Sequence, residues 1–128
     1  MLALRPRETV ILAEDFSALV NWYRDVLEFT IVASFSDAFH YACLETPSGI
    51  KIGIASAQEM GVVPGDRSGN TVLLQFEVDE LHAFFVDLKQ AHVTVTFGPA
   101  QDKQDSFWYG GFEDPEGNPI RVVDRNCP

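Results

Sequence analysis

The chain has 128 residues, 46% of them hydrophobic and 22% charged, which suits one soluble globular domain with a core of its own. Nine Lys and Arg against nineteen Asp and Glu leave a net charge of −10, which argues against nucleic acid and against an anionic membrane surface as partners. Two cysteines, Cys43 and Cys127, make no disulfide scaffold and have no metal-ligand spacing, and no apolar run reaches signal-core or membrane-spanning length, so the expected setting is cytoplasmic.

In chain order, Thr9 to Ala13 is a short apolar run that predicts a buried strand. Glu14-Asp15 follows, and Asp15 or Ser17 can cap a helix. Phe16, Leu19, Val20, Tyr23, Val26 and Leu27 then fall on one helical face, with Asn21, Arg24 and Asp25 opposite. Three strand-like runs come next: Phe29 to Phe35, Ala38 to Thr46 and Ile50 to Ala55. The second of these alternates, with Phe39, Tyr41 and Cys43 on one face and His40, Ala42 and Leu44 on the other. Residues 57–69 hold Gly61, Pro64, Gly65 and Gly69 and read as a linker.

The pattern then restarts. Thr71 to Val78 predicts a strand, Asp79-Glu80 repeats the acidic pair, and Leu81, Phe84, Phe85 and Leu88 mark a second amphipathic helix. His92 to Phe97 reads as a strand and Gly98 to Asp105 as a loop. Trp108 to Glu113 and Pro119 to Asp124 form the closing hairpin around Asp-Pro-Glu-Gly-Asn. Pro115 presets one turn corner, and Gly117 accepts the positive φ of another. The residues alone thus predict an α+β domain over 1–128, with module one at about 7–56, the linker at about 57–69 and module two at about 70–125.

Phe112 to Val123 resembles a known pattern: an aromatic, one free position, then Asp-Pro-(Asp/Glu)-Gly-Asn-x-Ile-Glu. This is the closing hairpin of the vicinal oxygen chelate superfamily, which includes glyoxalase I, the bleomycin and fosfomycin resistance proteins and the extradiol dioxygenases. With both modules, the resemblance runs from Glu8 to Asp124. It implies two βαβββ modules forming a curled mixed sheet around a cleft, with the helices outside.

Metal-using members of that group place His, Gln or Glu at four equivalent strand positions, which here fall on Glu8, Gly53, Leu73 (with Gln75 two residues on) and Arg121. Only Glu8 is an anionic donor, and Arg121 stands where the group has its last ligand Glu. No metal, no cofactor and no catalytic residue are therefore expected, and none of His40, His82 and His92 restores a ligand set.

Two functions follow as expectations. The first is a metal-free small-molecule binding protein that holds an apolar or aromatic ligand through Glu8, Phe39, Tyr41, Gln75, Trp108 (or Phe107) and Arg121. The charge of −10 would favour a cationic or neutral ligand. The alternative is a glyoxalase- or dioxygenase-like enzyme (lyase, isomerase or oxygenase), with a displaced metal or with Glu8 as a base of raised pKa. The resemblance also implies a homodimer, and the positions of Glu8 and Arg121 suggest an ion pair between them.

Overall fold

The computed structural model describes residues 2–128. They divide into two compact units, one ending at Gly65 and the other beginning at Asp66. Each has the order β-α-β-β-β, and the fold is α+β.

The first unit contains β1 (Thr9–Ala13), α1 (Phe16–Asp25), β2 (Thr30–Phe35), β3 (Tyr41–Glu45) and β4 (Lys51–Ser56). Its sheet order is β1-β4-β3-β2, with β1 parallel to β4 and the other pairs antiparallel. The Asp15 carboxylate caps α1 by accepting from the Ala18 N–H at 3.1 Å, as the spacing predicts. The apolar stripe of α1 buries Leu19, Val20 and Tyr23, and Ile11, Ala42, Leu44, Ile52 and Ile54 are buried from the strands. Burying side chains of this size contributes about 1.5–3 kcal/mol each. With one face of the sheet so used, period-2 alternation sends Tyr41, Cys43, Lys51 and Gly53 to the other.

β3 starts at Tyr41, three residues later than Ala38. The reason lies at His40, whose N–H donates to the Glu59 carboxylate at 2.8 Å and is thereby removed from strand pairing.

The second unit opens with a 3-10 turn at Arg67–Gly69, followed by β5 (Leu74–Val78), α2 (Leu81–Gln90), β6 (Thr94–Asp102), β7 (Phe107–Glu113) and β8 (Pro119–Asp124). The sheet order, β5-β8-β7-β6, repeats the first unit. α2 buries Leu81, Phe85 and Leu88. Beyond its end at Gln90, His92 takes a left-handed φ of 60° while its N–H donates to the Lys89 carbonyl and the Val93 N–H to the Leu88 carbonyl.

The segment Gly98 to Asp102, expected as loop, belongs to β6: two register shifts with a φ of +84° at Gly98 keep it paired to β7.

The closing turn is held from inside. The Asp114 carboxylate accepts from the N–H groups of Glu116 and Asn118, each at 3.0 Å, and from the Asn118 amide at 2.8 Å. Arg67, buried at 9% exposure, donates to Asn118 at 3.0 Å and to the Glu116 carboxylate at 2.9 Å. The turn motif is thus tied to the start of its own unit.

Candidate functional site

In the first unit, the sheet face away from α1 carries the chemistry. Cys43 stands opposite Gly53, Tyr41 opposite Ala55, and Ala33 and Phe35 opposite Cys43 and Tyr41. Glu8 enters just before β1 and shares the face of Val10, which is in register with Gly53. Glu8, Ala33, Phe35, Tyr41 and Cys43 line a cavity of about 580 Å³, with Pro6, Arg7, Val32, Gly49 and Lys51 completing the wall. That volume is in the range of small-molecule sites. Phe35 and Val32, 54% and 49% exposed, supply apolar surface to it.

The cavity is organised around Glu8, whose side chain is only 10% exposed. The Tyr41 hydroxyl donates to one carboxylate oxygen. The Arg7 guanidinium lies 3.5 Å from the other. Gly53 makes this possible: a Cβ there would overlap the Tyr41 hydroxyl and stand 3.1 Å from Glu8 Cγ.

The Tyr41 hydrogen bond, followed by one from the Glu8 backbone, holds the Glu8 carboxyl below its ordinary value against the opposing effect of burial. Burial first, and Glu8 second, push the Tyr41 hydroxyl up to about 12. Burial and then the Glu8 charge raise the Cys43 thiol. At neutral pH the cavity therefore offers an ionised, partly engaged carboxylate, a neutral phenol and a neutral thiol. That is the reverse of the raised-pKa base considered from sequence, and the thiol is no nucleophile.

In the second unit the equivalent face carries a different set. Register places Gln75 beside Arg121 and Gly111 on its other side, with Tyr109 opposite Val123. Matched strand by strand, Gln75–Arg121–Gly111 corresponds to Val10–Gly53–Cys43 of the first unit, and Tyr109 to Tyr41. Arg121 Cζ lies 5.8 Å from the Tyr109 ring centroid. Phe97 lies over Gly111, where a Cβ would overlap its ring.

Of the residues expected to bind, Glu8 and Tyr41 come together in the first unit, and Gln75 and Arg121 are neighbours in the second. Phe39 lies before β3, 54% exposed, with its ring 6.2 Å from that of Phe35. Trp108 turns to the helix side, its ring edge-on to His82 of α2 at 4.5 Å; Phe107 and Tyr109 take the Arg121 face. Glu8 has its partners, Tyr41 and Arg7, within the first unit, and Arg121, in the second, has the Tyr109 ring beside it.

Sequence reading missed Val32, Phe35 and Lys51 as cavity residues, and Tyr109 and Phe97 as the setting of Arg121. Gly53 and Gly111 were the available signals, since glycine inside a strand marks a close approach.

The family model of the glyoxalase/bleomycin resistance protein/dioxygenase superfamily matches residues 5–122. The chain belongs to that superfamily. No curated protein matches it. Among solved structures, a superfamily member from Sphaerobacter thermophilus DSM 20745 is 18% identical, with 98% of this chain and 100% of that one covered and a TM-score of 0.79. A family enzyme from Burkholderia phytofirmans PsJN is 20% identical over 91% of this chain and 95% of that one, with a TM-score of 0.72. An integron cassette protein from the mobile metagenome of the Halifax Harbour sewage outfall is 15% identical over 91% and 95%, with a TM-score of 0.76. These likenesses establish the fold.

For a member of the glyoxalase/bleomycin resistance/dioxygenase superfamily, a divalent metal has to be tested against the donors. In the first unit, Glu8 is bonded to Tyr41 and the facing position is Gly53. In the second, the corresponding strands bring Gln75 beside a cationic Arg121. Among the described residues no three His, Cys, Asp or Glu side chains gather as a ligand group. These residues do not fit a divalent cation.

Proposed function

We propose that the chain is a small-molecule binding protein of the glyoxalase/bleomycin resistance type that works without a metal and holds an apolar or aromatic ligand against its sheets. The observation that carries this reading is the Glu8–Tyr41 cavity. It joins ligand-sized volume, apolar walls from Phe35 and Val32, and a few converging polar groups, the usual composition of a binding site. Its one carboxylate is ionised and already bonded, so it can orient a ligand but is poorly placed to remove a proton.

The reading includes a homodimer in the cytoplasm with no nucleic-acid or membrane partner. Among the described residues no helix is long and apolar enough to cross a membrane. Light scattering at working concentration tests the dimer.

Binding itself is tested by a thermal-shift screen of neutral and charged aromatic compounds on wild type and Tyr41→Ala. A true ligand at a hundredfold excess over Kd stabilises by about 2.7 kcal/mol. Stabilisation of wild type that Tyr41→Ala loses is expected. A screen in which no compound stabilises wild type more than Tyr41→Ala, or turnover of a screened compound with added divalent metal, would refute the reading.

A further inference from the structure

Two arginines of the second unit are held in opposite ways. Arg67 is spent on structure, with both ends of its fork donated to Asn118 and Glu116. Arg121 is not. Its Nε is buried without a partner, and among the described residues it enters no ion pair. Buried polar groups are ordinarily satisfied, and a guanidinium most of all, because losing water without gaining an acceptor costs free energy. A buried guanidinium Nε without a partner marks the place of a missing acceptor.

The surroundings say what kind. Tyr109 sits beneath the guanidinium at 5.8 Å, and Phe97 and Phe107 lie 6.2 and 5.9 Å from Tyr109. Gly111, the cross-strand neighbour of Arg121, leaves its side-chain space to the Phe97 ring. On the other side, Gln75 stands in register and adds an amide donor one strand spacing away. A planar cation that donates in parallel, bordered by aromatic rings and an amide, matches a planar two-oxygen anion attached to a flat apolar body.

Resting on the small-molecule reading above, we infer that Arg121 receives the carboxylate of an aromatic acid, with Gln75 as a second donor and Tyr109 and Phe97 against the ring. This reverses the ligand charge suggested by the net charge of −10. Long-range repulsion is screened within about 8 Å at physiological salt, whereas a direct charged hydrogen bond is not.

The test uses benzoate and phenylacetate, each beside its uncharged amide, titrated into wild type, Arg121→Gln and Arg121→Lys and followed by ligand-observed NMR. Circular dichroism confirms that each variant is folded. The acids should bind wild type, Arg121→Gln should weaken them by about tenfold or more, Arg121→Lys should recover part of the loss, and the amides should bind poorly throughout. Equal binding of acids and amides, or acid binding unchanged in Arg121→Gln, overturns the inference while leaving small-molecule binding standing. Failure of both acids to bind wild type also overturns it, and the thermal-shift screen then decides separately whether the protein binds small molecules at all.

Discussion

The Tyr41 hydroxyl donates to the Glu8 carboxylate through the space that Gly53 leaves open. The three residues come from three strands or their ends and are linked by register alone: Tyr41 on β3, Gly53 on β4, and Glu8 at the entry to β1. One hydrogen bond thereby turns a possible ligand or base into an anchored anion. The bond favours the neutral phenol and the ionised carboxylate, so each group resists titration in its own direction.

Tyr41 should ionise at about 12, above the ordinary tyrosine value of 10.0. A folded-state pKa raised in this way contributes stability that is complete below pH 10 and is lost as pH rises toward 12. Spectroscopic titration of Tyr41 in a Glu8→Gln variant should find the value lowered only part of the way, because burial is the larger cause. Full return to 10.0 would show that the carboxylate dominates instead.

Glu8 gives the mirror case. Its pKa is depressed from 4.5, so its contribution is present above that value and is lost as pH falls through the lower folded value. Tyr41→Phe removes the largest cause of the depression. Urea midpoints should then differ between wild type and Tyr41→Phe at neutral pH and converge in acid. A difference that is constant across pH would mean that the hydroxyl matters for packing and not for the charge.

Gly53→Ala is expected to cost about 1–3 kcal/mol, the usual penalty for overfilling a packed site. The new Cβ would overlap the Tyr41 hydroxyl. The displaced phenol should return toward ordinary ionisation, which tyrosine absorbance reads alongside the denaturation midpoint. Gly65→Ala, with open space around it, is the control and should leave Tyr41 unchanged.

Arg67→Met should lower stability by about 3 kcal/mol, because Glu116, 12% exposed at its side chain, and Asn118 lose the buried guanidinium that donates to both. Chemical denaturation measures it. The double variant Arg67→Met, Glu116→Gln should recover part of the loss, since the carboxylate charge that Arg67 had offset is removed with it.

The repeated βαβββ order was legible because local signals agreed at each step: the Asp15 cap, the Leu19–Val20–Tyr23 stripe and the Pro115–Gly117 turn all act within a few residues. The site was legible only in part. Glu8 and Arg121 could be placed by the resemblance, but the Tyr41–Glu8 bond spans 33 residues of sequence and depends on β4 lying between β1 and β3. Phe39 falls before β3 and not within it because a side chain, Glu59, takes the next backbone N–H and delays the strand. Trp108 and Tyr109 are adjacent, and a one-residue choice of face separates a helix contact from the Arg121 platform. The continuation of β6 past Gly98 depends on bulges that no alternation pattern announces.

Under the proposed function, the donors of this superfamily member serve one another and a ligand, and not a divalent metal. Elemental analysis of protein purified without chelator, followed by dialysis against manganese, nickel and zinc and a second analysis, tests it most directly. Far less than one equivalent of any divalent metal is expected in both samples, with the Tyr41 titration unchanged by the added ions. Close to one equivalent of a single metal, retained through dialysis and lost in Glu8→Gln, would contradict it.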